Sequence, residues 1–230
     1  MAGASRAEPA SGAIPRVLEV PAAGAALLLA SPVIALAALL VRITSRGPAF
    51  FRQTRVGRGG RDFVLYKLRS MRSAREGVRL TAAGDDRVTA VGRLLRKSKL
   101  DELPQLWNVV RGDMSLVGPR PEVPEYVDLE DPRWVEILRW RPGITDPVAV
   151  RLRDEERVLA AVSEDRERFY REELQPEKLR AYIRYLRART WASDVRVLLK
   201  TAVAVLLPRR AGSLGEPFSE GRAAKNSARD

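Results

Sequence analysis

The longest apolar stretch runs from Val20 to Val41, twenty-two residues without a charge. At ~1.5 Å per residue a helix of this length covers about 33 Å, enough to cross a bilayer. Ser31-Pro32 interrupts the run in its middle. Pro32 has no backbone N–H, so the Leu28 carbonyl loses its helical donor, and an orphan carbonyl in hydrocarbon costs several kcal/mol. The Ser31 hydroxyl, or a helix that turns back before the far leaflet, would supply the repair. The pattern predicts a re-entrant, proline-broken membrane helix over 16–46. A helix that crosses the bilayer once and an apolar helix in a soluble core are the alternatives. Residues 42–80 carry eleven Arg or Lys against Asp62 and Glu76, a net +9, whereas the charges of residues 1–19 sum to zero. That asymmetry puts the C-terminal side in the cytoplasm.

Beyond this segment the periodicity shortens. Phe50–Val56 and Phe63–Lys67 are rich in β-branched and aromatic residues and flank Gly57-Arg58-Gly59-Gly60, which predicts a β-hairpin. Residues 73–88 read as a loop, and Thr89–Lys97 as a helix with Val91, Leu94 and Leu95 on one face. In Pro104–Arg111 the positions of Leu103, Leu106, Trp107 and Val110 repeat at helical spacing, which predicts Trp107 in the core; Gly112 suits the end of that helix. Residues 112–126 and 141–145 hold too much Gly and Pro for regular helix. From Asp154 the chain reads as helix over 154–174 and 177–189, with a break at Pro176. Residues 191–207 gather Val195, Leu198, Leu199, Ala202, Val203, Leu206 and Leu207 into one stripe, with Arg196 and Lys200 off it. Such a helix suits the membrane interface, an ordinary core, or a second copy of the chain in a homodimer. The fold class is therefore α+β and mainly helical. A small hairpin and amphipathic, interfacial helices surround a compact cytoplasmic domain over 47–207, between disordered ends at 1–15 and 208–230.

Composition removes several chemistries. The chain has no cysteine and no histidine, so disulfides, thiolates, Ser-His-Asp triads and His-ligated zinc are excluded. Its net charge of +12 points to anionic partners, of which anionic membrane lipid is the nearest. No binding motif or aromatic-basic surface points to nucleic acid. Arg52, Arg55, Arg58 and Arg69 are expected to face lipid head groups or solvent.

The candidate chemistry centres on Asp101-Glu102, just ahead of the Pro104 helix. Acidic residues there can simply cap a helix N-terminus. However, Arg96, Lys97 and Lys99 crowd the same turn, and Arg120 and Arg141 each sit in a stiff Pro/Gly turn. A carboxylate among cations is expected to have a depressed pKa and to stay ionised. It can then ligate a divalent cation or attack phosphorus. A helix N-terminus with several Arg residues also suits a diphosphate.

Ser31-Pro32 in the apolar segment, FxQxRxG over 51–57, YKLRSM over 66–71, LDELPQLWNVVRGDMSLVGPRPE over 100–122 and RPGIT over 141–145 together resemble the bacterial sugar transferase family. More narrowly, they resemble its small monotopic polyprenyl-phosphate phosphoglycosyl transferases. The resemblance covers about residues 16–207. It implies transfer of a phosphosugar from a UDP-sugar to polyprenyl phosphate at the cytoplasmic face of the bacterial inner membrane, with UMP released and Mg²⁺ as cofactor. It implies that Asp101 is the nucleophile that forms a covalent phosphosugar intermediate, that Glu102 is its partner, and that both are metal ligands. Lys67, Arg96, Arg120 and Arg141 are the implied anion contacts, while Asp113 could support the metal or cap a turn. The chain departs from the family pattern in offering Arg16 and Glu19 where members place basic residues and Asp. It departs again after RPGIT, where Asp146–Arg151 replaces a Gly, aromatic and polar stretch. The rival reading is a non-enzymatic basic scaffold on the membrane surface.

Overall fold

A computed structural model describes residues 12–72, 84–148, 155–162 and 165–206. The chain ends expected to be disordered lie outside the described residues, apart from 12–15, as does most of the 73–88 loop. The apolar segment forms helix α1, Arg16–Thr44, which runs on through Pro21 and Pro32. The expected break is thus a local repair: the Ser31 hydroxyl donates to the Leu28 carbonyl at 2.7 Å and replaces the missing N–H. Glu19, Ala23, Ile34, Ala37 and Val41 line its buried face. Leu28, Leu29, Val33, Leu36, Leu39 and Ile43 stay exposed. The most apolar window has a mean hydropathy of 2.4 and is only 11% buried, which separates α1 from the core helix of a soluble protein.

Both ends of α1 are fastened by polar contacts. At the start, Glu19 is 3% exposed. It accepts from the Leu116 N–H at 2.6 Å and from Arg16 at 2.7 Å. Arg16 also donates to the carbonyls of Val109 and Met114. Glu19 is thus the carboxylate that fastens the start of α1. Beyond the other end, Arg69 donates to the Ser45 and Arg46 carbonyls and to the Ser45 hydroxyl. Arg69 is buried rather than facing lipid, because three oxygens of the anchor exit replace water around it.

Strands β1 (Phe50–Val56) and β2 (Asp62–Leu68) pair antiparallel as the expected hairpin, from Phe50↔Leu68 to Val56↔Asp62. Helix α2 (Ala90–Ser98) opens with the Thr89 hydroxyl accepting from the Gly92 N–H. Helix α3 (Gln105–Arg111) ends at Gly112, which takes the left-handed conformation at φ +88°. Strands β3 (Ser115–Val117) and β4 (Gly143–Thr145) pair in parallel, with Ser115 opposite Gly143. There the two Pro/Gly turns meet backbone to backbone. A Cβ on Gly143 would lie 2.1 Å from the Gly118 nitrogen, so two motifs distant in sequence form one unit.

Helix α4 (Pro132–Ile137) is followed by α5 (Glu155–Ala161), α6 (Arg166–Phe169), a π-turn (Tyr170–Leu174), α7 (Gln175–Arg187) and α8 (Trp191–Leu206). No break occurs at Pro176, which falls in the first turn of α7 behind the wider π-turn, where the missing N–H and the ring are tolerated. The helix starts afresh instead at Asp165, whose carboxylate caps α6. Val56, Trp134, Ile137, Trp140, Leu179 and Tyr182 form a core that joins the hairpin, α4 and α7. On α8, Trp191, Val195, Leu199 and Val203 form an exposed stripe, while Asp194 is turned inward. Asp194 accepts from Arg189, the Tyr185 hydroxyl and the Ile14 N–H.

Gly143→Ala is expected to destabilise the fold by at least about 2 kcal/mol, because the new methyl meets backbone that cannot give way. Gly24→Ala, which meets nothing within 4 Å, is expected to be neutral or stabilising. Thermal unfolding of the two variants in detergent checks the contrast.

Candidate active site

The Asp101-Glu102 pair owes its setting to the way α2 ends. Lys99 caps α2 in the left-handed conformation, φ 58° and ψ 13°, and is the one non-glycine residue at positive φ among the described residues. That conformation costs on the order of 1 kcal/mol for a residue with a Cβ. It turns the chain into a single 3₁₀ turn, Leu100–Glu102, directly ahead of α3.

Within that turn the two carboxylates have different surroundings. Glu102 Oε1 accepts from the Lys67 ammonium at 2.8 Å and from the Arg120 guanidinium at 3.1 Å. Lys67 comes from β2, Arg120 from the turn after β3. Asn108 fixes the first approach. It is fully buried. It donates to the Val64 carbonyl at 2.7 Å and accepts from the Tyr66 N–H at 3.2 Å. The helix that follows the pair is thereby sewn to the strand that carries Lys67. Asp101 is 6% exposed, and its Oδ1 is buried without a hydrogen-bond partner.

Their acidities separate accordingly. Burial alone would raise the Glu102 carboxyl, but Lys67, Arg120 and Lys99 outweigh it and hold the group well below the ordinary 4.5. For Asp101 the balance is reversed. Burial and the neighbouring Glu102 charge push it above the ordinary 3.8, against the pull of Lys67, Lys99 and Arg96. The expected depression therefore holds for Glu102 and is corrected for Asp101, which has the adjacent anion without a paired cation. Burial also lowers the Lys67 ammonium, with Glu102 opposing. Chemically, one carboxylate is a locked anion, and the other is a more basic oxygen with a free lone pair.

The other expected site residues are more dispersed. Arg96 lies close enough for its charge to act on Asp101, and it reaches the Met71 sulfur at 3.5 Å. Arg141 donates through Nε to the Gly112 carbonyl at 2.9 Å, where its charge complements the C-terminal end of α3. Asp113 accepts from Asn108 and pairs with Arg111, the turn-capping role. Trp107 is 45% exposed and not in the core; the buried face of α3 is Gln105, Leu106, Asn108 and Val109. The helix is rotated because Asn108 claims the strand edge. Arg55 is half-buried rather than turned fully to solvent. It donates to the Pro121 carbonyl and stands 3.8 Å from Glu122. Asn108 and Glu122 escape a reading by residue type. Lys99 was visible only as one of several cations near the pair.

A family model of bacterial sugar transferases matches residues 10–208. The chain is 41% identical over 197 residues to the UDP-glucose:undecaprenyl-phosphate glucose-1-phosphate transferase of Caulobacter vibrioides, covering 83% of this chain and 69% of that protein. It is 46% identical over 137 residues to the UDP-N-acetylgalactosamine-undecaprenyl-phosphate N-acetylgalactosaminephosphotransferase of Aeromonas hydrophila, covering 57% of this chain but only 32% of that protein. It is also 42% identical over 154 residues to the exopolysaccharide production protein ExoY of Rhizobium meliloti, covering 60% of this chain and 68% of that protein.

The Glu102 pairing has a pH signature. Its folded pKa lies below its unfolded value near 4.5, so its ionised form stabilises the fold above that value. The contribution is lost as the pH falls through the folded pKa. Urea unfolding in detergent should find wild type more stable than Glu102→Gln at about pH 7, with the gap closing progressively below about pH 4.5. A gap independent of pH would contradict the pairing.

Proposed function

The chain belongs to the bacterial sugar transferase family of enzymes, and from that premise we propose that it transfers a phosphosugar from a UDP-sugar to a polyprenyl phosphate through an aspartyl-phosphosugar intermediate. The observation that carries the proposal is the buried, unbonded Asp101 oxygen beside a Glu102 locked by Lys67 and Arg120. In the first step an Asp101 carboxylate oxygen attacks the phosphorus that bears the sugar. The bond from that phosphorus to the UMP oxygen breaks, and UMP leaves with the electron pair. In the second step an oxygen of the polyprenyl phosphate attacks the same phosphorus, the Asp101–phosphorus bond breaks, and the carboxylate returns with polyprenyl-diphosphate-sugar as product. In its ionised form Asp101 attacks without a histidine or other base. Its raised basicity favours attack. Arg120, which reaches Glu102 from a stiff turn, is assigned to the donor's diphosphate as well. Arg96 and Lys99 add positive charge.

The residues fit Mg²⁺ as well. This ion takes one or two carboxylates and completes its shell with water and substrate phosphates. Asp101 and Glu102 would hold it, within a pair that leaves one buried carboxylate oxygen without a protein partner. No group of three or more acidic side chains converges among the described residues, so the donor's phosphate oxygens would complete the set. When bound, the ion neutralises diphosphate charge.

The lipid substrate places the work at a membrane. The exposed apolar face of α1 and the stripe on α8 support that location, with residues 47–207 as the catalytic domain. That α1 does not span the bilayer is supported by its two fastenings, Arg16-Glu19 at one end and Ser45-Arg46 at the other, to the same body. A bilayer could not lie between them. A UDP-sugar donor then implies the cytoplasmic face of the inner membrane. A scaffold would have no use for an unbonded buried carboxylate.

Purified membranes supplied with undecaprenyl phosphate, Mg²⁺ and either UDP-glucose or UDP-N-acetylgalactosamine should yield lipid-linked sugar diphosphate, read by mass. Asp101→Asn should lower turnover at least about a thousandfold, and Glu102→Gln about ten- to a hundredfold. Undiminished turnover by Asp101→Asn would remove Asp101 from the mechanism.

A further inference from the structure

The turn that carries Arg120 is fastened from behind by residues that take no part in the Asp101-Glu102 pair. Glu122 Oε1 accepts from the Tyr170 hydroxyl at 2.6 Å and from the Lys178 ammonium at 3.2 Å. Lys178 is 4% exposed, although it carries a charge, and it also lies 3.1 Å from the Tyr170 oxygen. The Val56 N–H donates to the Glu122 carbonyl at 2.9 Å. Arg55 donates to the Pro121 carbonyl at 3.0 Å. On the other flank the Arg120 N–H donates to the Tyr182 hydroxyl at 3.4 Å. Each residue from Arg120 to Glu122 is thus held, in a segment too rich in proline to hold itself by regular hydrogen bonding.

Stability alone does not explain this arrangement. A buried ion pair is often no better than apolar residues of the same volume, because desolvation offsets the attraction. What a charged pair provides is one defined geometry. We propose that Lys178 and Glu122 are positioning residues that hold the Pro119–Pro121 turn so that Arg120 meets both Glu102 and the donor's diphosphate. The proposal rests on the reading of Arg120 as a diphosphate contact. α7, remote in sequence from the catalytic pair, becomes the back wall of the donor site.

The test compares Lys178→Met and Glu122→Gln, each alone and in an Arg120→Ala background. The KM for the donor is measured with UDP-glucose, or with UDP-N-acetylgalactosamine if glucose is not turned over. KM does not depend on how much enzyme folds, so a loss of yield leaves the readout intact. Each single variant is expected to raise donor KM at least about fivefold, and to add less than about twofold once Arg120 is gone, as coupled residues do. A merely structural role would lower active enzyme and leave KM unchanged. Unchanged KM, or equal effects in both backgrounds, would overturn the positioning role. If Arg120→Ala itself leaves donor KM unchanged, the reading of Arg120 falls, and the proposal falls with it.

Discussion

Glu102 is a nearly buried carboxylate gripped by two cations from distant parts of the chain, and the site is organised around that grip. An anion out of water must be compensated, so Lys67 and Arg120 have to arrive together. Lys67 arrives because Asn108 sews α3 to β2. Arg120 arrives because β3 and β4 lie side by side, with Gly118 against Gly143 and no room for a side chain between them. Once both cations are committed to Glu102, the adjacent Asp101 is left with burial and a neighbouring negative charge, and its basicity rises. The asymmetry between two neighbouring carboxylates is therefore a property of the whole fold.

The same logic of compensated charge operates at the anchor. α1 is apolar on its outer face and fixed by ions at its root. Glu19 and Arg16 satisfy each other, a strand N–H and two carbonyls near the end of α3. Arg69 closes the exit from the other side. The helix is thus part of the catalytic body rather than a tether. Its exposed leucines lie on the body that carries Asp101, which suits the proposed transfer from a soluble donor to a lipid acceptor.

Much of this was legible in the sequence, wherever local chemistry decides. The charge-free run, the glycine-turned hairpin and the helix between Pro104 and Gly112 follow from residue types and spacing alone, whereas the Ser31 repair of Leu28 was one of two alternatives those left open. The acidic pair and its cations stood out for the same reason. What stayed hidden depends on contacts between distant segments. Helical spacing marks Trp107 as core, but Asn108 rotates the helix to reach β2 and leaves Trp107 out. Arg55 and Arg69 look like surface cations until Pro121 and Ser45 are seen to meet them. Pro176 suggests a break, yet a π-turn delivers it into the first turn of a helix. The opposite pKa directions of Asp101 and Glu102 could not be read from a string in which both sit among the same lysines and arginines.

The chemistry turns on the carboxylate of Asp101. Wild-type protein should be mixed with its UDP-sugar donor and Mg²⁺ in the absence of polyprenyl phosphate, quenched, digested and weighed peptide by peptide. The peptide containing Asp101 should gain the mass of one phosphosugar, in proportion to UMP released, and should lose it when polyprenyl phosphate is added. UMP release with that peptide unmodified, under conditions that support full turnover, would contradict the account.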